Sequence, residues 1–172
     1  MIKKSGILIL MIIGLILPIL QGCTTGRVSR IGEIPLTEVK VQKVVLETDT
    51  MRPILILQNL DETISLTMWI GSNEAFAIAS QIEDVHLPRP MTHDLLKNIL
   101  HEVKASVVKV AIVDFKEDIY YAVIILKYRG KTLTIDSRPS DAIALALRTK
   151  APIFASTEIL NSKGIRTKGE GI

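Results

Sequence analysis

The chain has 172 residues, a formal net charge of +3 and one cysteine, Cys23. A charge this close to neutral argues against an extended phosphate-binding surface, and a single cysteine excludes a disulfide within the chain. The length fits one domain of ordinary size behind a short N-terminal segment.

The N-terminal segment, residues 1–22, is typical of a secretory signal peptide. Lys3 and Lys4 form a basic start, and a largely apolar run follows at residues 7–20. As a helix, residues 5–20 would extend about 24 Å at ~1.5 Å per residue, which is shorter than a hydrocarbon core of ~30 Å. We therefore expect export and cleavage, which lowers the formal charge from +3 to +1 because both lysines are removed. An uncleaved N-terminal anchor is the alternative.

The end of this segment, Leu20-Gln21-Gly22-Cys23, resembles the lipobox of bacterial lipoproteins. The resemblance implies cleavage before Cys23 and a diacylglycerol group on its thiol. Residues 23–36 would then comprise the lipidated cysteine and a tether rich in Thr, Gly, Ser and Arg. This predicts an exported lipoprotein, anchored to a membrane on its extracytoplasmic or periplasmic side.

Three strands are expected in the first half of the domain. β-Branched and alternating apolar residues lie between turn signals at residues 39–47, 53–58 and 65–70. In the third strand the alternation places Trp69 on the face opposite Leu66. We expect the indole to serve packing rather than base stacking.

Two helices follow. Ser72 is the candidate N-cap of the first, and Glu74 favours its positive N-terminus. The predicted buried stripe of the first helix consists of Ala75, Ile78, Ala79 and Ile82. Thr92 is the candidate cap of the second helix. The apolar face of that helix consists of Leu95, Leu96, Ile99, Leu100 and Val103.

The second half repeats this order. Strands are predicted at residues 107–115, 120–128 and 132–136. Residues 140–150 predict a helix that is apolar on nearly every side and is therefore expected to be central. The polar, glycine-containing residues 161–172 predict a flexible tail.

The two halves share an internal repeat at an offset of 67 residues. Residues 74–79 align with residues 141–146, so that Glu74 falls on Asp141 without a gap. The chain is thus predicted to use one structural unit twice, and specialised chemistry is expected where the two copies differ.

The predicted elements run β-β-β-α-α and then β-β-β-α, which is typical of an α+β fold with mainly antiparallel pairing. We predict one domain at residues 37–160, made of two repeats at about 39–104 and 106–160. Two three-stranded sheets that cannot cover themselves are expected to join into one mixed, barrel-like sheet with the helices packed on it.

The end of the sixth predicted strand carries the first candidate site. Asp136 and Arg138 stand there in place of Trp69 and Gly71 of the first copy, and Asp141 lies in the first turn of the next helix. In one interpretation the two aspartates share a divalent metal and Arg138 holds a phosphate. In the other, Asp136 caps the helix, Asp141 offsets its dipole and Arg138 pairs with either acid.

The second candidate site is the start of the second predicted helix. A histidine beside an acid suits a general base or a metal ligand, which makes His93 and Asp94 candidates. In the alternative, Thr92 is the cap, Asp94 is a first-turn acid and His93 lies on the surface. Arg89 lies just upstream and fits either interpretation.

Three motifs in this order resemble the bifunctional nuclease domain family. They are Trp69-Ile70-Gly71-x-x-Glu74-Ala75, the segment at residues 89–96 and the segment at residues 136–146. The resemblance extends from about Val39 to Leu160. It implies a duplicated β3-α2 fold with a barrel-like sheet, a tendency to form homodimers, and nuclease activity on both DNA and RNA.

Two hypotheses from different classes follow. The first is a metal-assisted phosphodiesterase acting on nucleic acid at the extracytoplasmic membrane face. Its catalytic candidates are His93, Asp94, Asp136, Arg138 and Asp141. Its candidate phosphate-binding residues are Arg89 and Arg138, and the candidate ligands of Mg²⁺ or Mn²⁺ are Glu74, Asp136 and Asp141. The alternative is a non-catalytic, membrane-anchored module for binding or assembly, in which the same residues hold the helix starts together.

Overall fold

The computed structural model describes residues 33–167. The predictions for the signal peptide, for Cys23 and most of the tether, and for the last five residues lie outside the described residues. In chain order the elements are β1 (Leu36–Leu46), β2 (Pro53–Asn59), β3 (Ile64–Trp69), α1 (Ser72–Ile82), α2 (Thr92–Glu102), β4 (Ser106–Lys116), β5 (Ile119–Tyr128), β6 (Lys131–Ser137), α3 (Pro139–Thr149), β7 (Ile153–Ser156), α4 (Thr157–Lys163) and β8 (Ile165–Arg166). Within this range, no helix is both long and apolar enough to cross a membrane.

The strands form one mixed sheet in the order β6-β5-β4-β7-β1-β2-β3-β8. The predicted α+β class and the single mixed sheet are confirmed, but the predicted barrel-like shape is not, because the sheet is open with β6 and β8 at its edges. The short strand β7 was not predicted from the sequence. It pairs parallel to β4 and antiparallel to β1, so it joins the two antiparallel three-stranded units.

The main core lies between the sheet and α3. Helix α3 is central, as predicted, because nearly all of its side chains pack inward and its alanines allow close approach. The largest fully buried side chains of this core are Leu55, Leu57, Leu66, Ile78, Val110, Ile112, Ile143 and Leu145. Truncating one buried Leu or Ile to Ala costs about 2–5 kcal/mol, so this layer dominates stability.

Helix α2 contrasts with α3, because most of its apolar face is exposed. Only Leu100 packs partly against the main core. The exposed apolar side chains of α2 are Leu95, Leu96 and Ile99. On α1 the predicted buried stripe is correct for Ala75 and Ile78 but wrong for Ile82, which is 44% exposed at the end of the helix.

The predicted tail begins too early. Residues 161–163 complete α4, and Ile165 and Arg166 form β8, which pairs with Ser65 and Ile64 of β3. Two residues suffice for this pairing, and so short a strand leaves no alternation to detect in the sequence.

The internal repeat agrees with the observed element bounds. Helices α1 and α3 differ by 67 residues at both ends, and each directly follows a strand. Their N-cap residues, Gly71 (φ −70°, ψ 153°) and Arg138 (φ −68°, ψ 144°), share one extended conformation. Superposition of the complete halves, and the exact repeat bounds, stay predictions.

Candidate functional site

The N-termini of α1 and α3 meet at Arg138. Its Nε donates to Asp141 Oδ2 at 2.7 Å, and its Nη2 donates to Glu74 Oε1 at 2.7 Å and to Asp141 Oδ1 at 3.1 Å. Glu74 and Asp141 are the third residues of their helices and are equivalent in the internal repeat. One arginine therefore connects the two copies through matching acids.

Local sequence explains how this contact forms. Pro139 begins α3 with a backbone φ that is already suited to a helix, which leaves Arg138 as the extended N-cap. At the α1 N-cap, a Cβ atom on Gly71 would clash with the Glu74 carboxylate. Glycine at this position therefore gives Glu74 room to fold back and accept the hydrogen bond from Arg138.

The two acids also stabilise the charge of Arg138. The hydrogen bonds to Asp141 and then to Glu74 raise the pKa of Arg138 above its ordinary value, which further stabilises a guanidinium that is charged in any case. Its side chain is 65% exposed. Within residues 33–167 its hydrogen bonds use Nε and Nη2 and none uses Nη1. Nη1 is therefore available to an anionic ligand.

His93 joins the same cluster from α2. Its Nε2 lies 3.1 Å from Asp141 Oδ1, and its side chain is only 10% exposed. The interpretation of His93 as a surface residue is therefore wrong. Asp141 contacts both Arg138 and His93, so this carboxylate links the starts of α2 and α3.

Asp94 belongs to a second, separate ion pair. One carboxylate oxygen accepts from the backbone N–H of Met91 at 3.0 Å, and the other accepts from Arg148 Nε at 2.6 Å. Burial tends to raise the pKa of Asp94, but the hydrogen bonds from Met91 and Arg148 outweigh it and lower the pKa overall. The predicted cap Thr92 is instead the first helical residue, and Met91 occupies the N-cap.

Arg148 was missed by sequence reasoning. Its side chain is 3% exposed and donates through Nη1 to the carbonyl oxygens of Ala77 and Ala144 as well as through Nε to Asp94. It therefore holds α1, α2 and α3 together. The available signal was one basic residue in the last turn of a helix that is otherwise apolar on nearly every side.

Two predicted site residues lie apart from the cluster. Asp136 pairs with Val123 across β6 and β5, and Val123 packs on the sheet face opposite the main core. Asp136 is exposed on that face, so it does not share a site with Asp141. Arg89 is exposed between α1 and α2 and forms no ion pair in the described part of the chain.

The expected three-carboxylate metal site is therefore not assembled. Glu74 and Asp141 are bridged by a guanidinium, and Asp136 is on the other face of the sheet. Among residues 33–167, no group of three or more His, Cys, Asp or Glu side chains is arranged to hold a metal ion.

A cleft of about 1130 Å³ lies beside Arg138. It is bordered by the β1–β2 turn, the end of β3, the β4–β5 hairpin, the start of α3 and the end of α4. Trp69 lines this cleft and is 59% exposed, so its indole does not pack in the core. Arg138 thus lines a concave surface large enough for a ligand.

Comparison with known proteins identifies the domain. The bifunctional nuclease domain model matches residues 55–168. An uncharacterized protein of Mycobacterium tuberculosis strain H37Rv is 35% identical over 128 residues, which cover 74% of this chain and 76% of the relative.

More distant relatives are plant proteins. Bifunctional nuclease 2 of Oryza sativa subsp. japonica is 29% identical over 117 residues, which cover 66% of this chain and 36% of the relative. Bifunctional nuclease 1 of Arabidopsis thaliana is 25% identical over 123 residues, which cover 69% of this chain and 38% of the relative. The chain thus spans little more than a third of the length of these plant proteins. From the family match and the bacterial relative, the chain belongs to the bifunctional nuclease domain family.

Proposed function

We propose that this protein is a nuclease that hydrolyses phosphodiester bonds of DNA or RNA. Membership of the family supports a nucleic acid as substrate, and the plant relatives carry the name bifunctional nuclease. The observation that carries the proposal is that Arg138, which lines an open cleft, is held by Glu74 and Asp141, and that Asp141 also contacts His93.

Each member of this cluster has a role that its contacts support. Arg138 binds a phosphoryl oxygen through Nη1 and stabilises the negative charge that develops there during hydrolysis. Glu74 and Asp141 fix the guanidinium in place. His93 contacts Asp141 through Nε2 and stays the candidate general base of the proposed reaction. Asp94 supports the start of α2 through its contacts with Met91 and Arg148.

Assistance by Mg²⁺ or Mn²⁺ stays a prediction. The predicted ligands Glu74, Asp136 and Asp141 do not converge, and the two that are close together hold Arg138. The residues present do not fit a dedicated metal site in the described part of the chain. No step of the proposed reaction is therefore assigned to a metal ion.

The experiment is a nuclease assay on the purified protein with single-stranded DNA, duplex DNA and RNA, in Mg²⁺, Mn²⁺ or EDTA. Arg138→Ala is expected to lower the rate at least a hundredfold with little change in melting temperature, since a lost transition-state contact costs about 3 kcal/mol. Arg129→Ala, at an exposed turn, is the matched control and should retain the wild-type rate. Asp136→Asn should also retain it, because its carboxylate lies on the other sheet face.

Two results would contradict the proposal. The first is the absence of phosphodiester cleavage under every condition. The second is an Arg138→Ala variant that unfolds readily but keeps the wild-type rate per folded molecule, which would assign Arg138 to the scaffold.

Assembly is a second candidate role, and the exposed apolar face of α2 favours it. Leu95, Ile99 and Val103 recur at four-residue spacing and are 55%, 48% and 49% exposed. A continuous apolar stripe on a helix surface marks an interface more often than isolated apolar residues do. We propose that this face mediates a homodimer, which the molecular mass in solution tests.

The location of the protein is proposed from the N-terminal sequence alone. The basic start, the short apolar run and Cys23 support export and lipid attachment. A nuclease anchored in this way would face nucleic acid on the extracytoplasmic side of the membrane.

A further inference from the structure

The cleft beside Arg138 collects aromatic rings and basic side chains from separate parts of the chain. We call the set of Arg52, Trp69, Phe115, Tyr120 and Lys163 the aromatic cleft. The guanidinium carbon of Arg52 lies 5.4 Å from the Trp69 ring centroid. The ring centroids of Phe115 and Tyr120 are 4.5 Å apart, and Lys163 Nζ lies 4.4 Å from the Phe115 ring.

The two cations of the aromatic cleft are not neutralised. Neither Arg52 nor Lys163 forms an ion pair with any side chain among residues 33–167. Asp118 is the one acid among the described residues that line the cleft. Arg138 differs, since two carboxylates offset its charge. A ligand entering the cleft therefore meets two unpaired positive charges beside an exposed indole.

We propose that the aromatic cleft binds single-stranded nucleic acid, with a base stacked on Trp69 and flanking phosphates contacted by Arg52 and Lys163. This inference rests on the proposed nuclease function, because the bound strand would carry its phosphodiester to Arg138. It goes further by naming the surface that binds the strand and the form of substrate that fits it.

Two arguments favour a single strand over a duplex. Unpaired bases expose their faces to an aromatic side chain, whereas the bases of a duplex are already stacked on one another. Duplex binding without base contacts depends on many phosphate contacts. The described cleft supplies two cations without an ion-pair partner. Two such charges suit the phosphates of a short, flexible single strand better than those of a long, rigid duplex.

The chain offers a direct probe, because Trp69 is its single tryptophan. The full-length protein is titrated in EDTA with a short oligothymidylate, with a duplex of equal length and with inorganic phosphate, while indole fluorescence is followed. The single strand is expected to quench the fluorescence, and phosphate alone is not. The duplex is expected to bind at least about tenfold more weakly, since it offers no free base to stack.

Variants separate stacking from charge. Trp69→Ala should weaken binding of a labelled single strand by about tenfold, and Trp69→Phe should restore most of that loss. Arg52→Gln and Lys163→Gln should each reduce the slope of log affinity against log salt by about 0.7. Lys127→Gln removes an exposed lysine outside the cleft and should change neither quantity. Thermal unfolding of each variant verifies that it is folded.

The outcomes distinguish this inference from the nuclease proposal. If the folded Trp69→Ala variant binds single strands as the wild type does, or if a duplex binds as tightly, the inference is wrong even when the protein cleaves nucleic acid. If binding follows the expected pattern but no cleavage occurs, the aromatic cleft stands as a binding site and the nuclease proposal falls.

Discussion

Arg138 and Arg148 lie at opposite ends of α3 and show how burial separates two roles for the same residue type. Arg138 is 65% exposed and has a free nitrogen beside the cleft, whereas Arg148 is 3% exposed and bonds to a carboxylate and two backbone carbonyls. A buried cation must have its donors satisfied, so Arg148 is a structural residue. Arg138 keeps the exposure that a ligand contact needs.

The pair of Asp94 and Arg148 predicts a pH dependence of stability. Because folding lowers the pKa of Asp94, its contribution is fully present above the ordinary aspartate value of about 4 and is lost as pH falls through the folded value. Asp94→Asn should therefore lower the free energy of unfolding at pH 7 by about 1–2 kcal/mol, a figure kept small by the 34% exposure of Asp94.

Thermal unfolding of wild type and Asp94→Asn between pH 7 and pH 3 measures this effect. The difference in stability should shrink at the acid end, where the wild-type carboxylate also loses its charge. Asp61→Asn, at an exposed turn, is the matched control. A difference that stays constant over the whole pH range would show that the charge of Asp94 does not support α2.

Helices α2 and α3 have the same length but bury different fractions of their apolar residues. Helix α3 packs on the sheet and between its neighbours, whereas α2 contacts α3 through its start and only its Leu100 packs partly against the main core. The apolar periodicity of α2 therefore predicts a buried apolar face, but within one chain most of that face is exposed to solvent.

Introducing a charged residue on the exposed apolar face of α2 tests the proposed homodimer. Ile99→Glu should convert a dimer to a monomer, because burying an unpaired carboxylate in an apolar interface is unfavourable. Asn98→Glu adds the same charge at a neighbouring exposed position and should leave the dimer intact. Sedimentation or light scattering gives the mass. A wild-type protein that is monomeric at high concentration would refute the proposed interface.

At the scale of the whole molecule, β7 determines how the two halves are joined. It lies between β4 of the second half and β1 of the first, so that one sheet passes through both. The helix starts then meet on one side, and the aromatic cleft forms where the β1–β2 turn, the β4–β5 hairpin and α4 come together. The proposed binding and the proposed chemistry would thus both depend on the joined halves rather than on either half alone.

The N-terminal segment predicts where this molecule is located. Cys23→Ser should abolish incorporation of labelled fatty acid and release the protein from the membrane fraction, since the thiol is the proposed attachment point. Thr24→Ser changes the adjacent residue and should leave both unchanged. A Cys23→Ser protein that still incorporates labelled fatty acid and stays in the membrane fraction would contradict the lipoprotein interpretation.

The sequence by itself determined the local elements and the family. It predicted the first helix, the central helix near residues 140–150 and the six principal strands, because apolar periodicity and breaking residues record local backbone geometry. The predicted N-cap of the first helix was wrong by one residue, since Gly71 and not Ser72 is the N-cap. It also indicated the equivalence of Glu74 and Asp141.

Only the tertiary structure decided which of these residues meet. Arg138 and Glu74 are 64 residues apart in the chain, and the pairing register of β6 turns Asp136 away from both. The exposure of Trp69 and of α2, and the pairing of β7, likewise depend on which faces other elements cover. Apolar periodicity shows that a helix or strand has an apolar face. Which element covers that face depends on packing between segments that are distant in sequence, and a local sequence pattern carries no information about such packing.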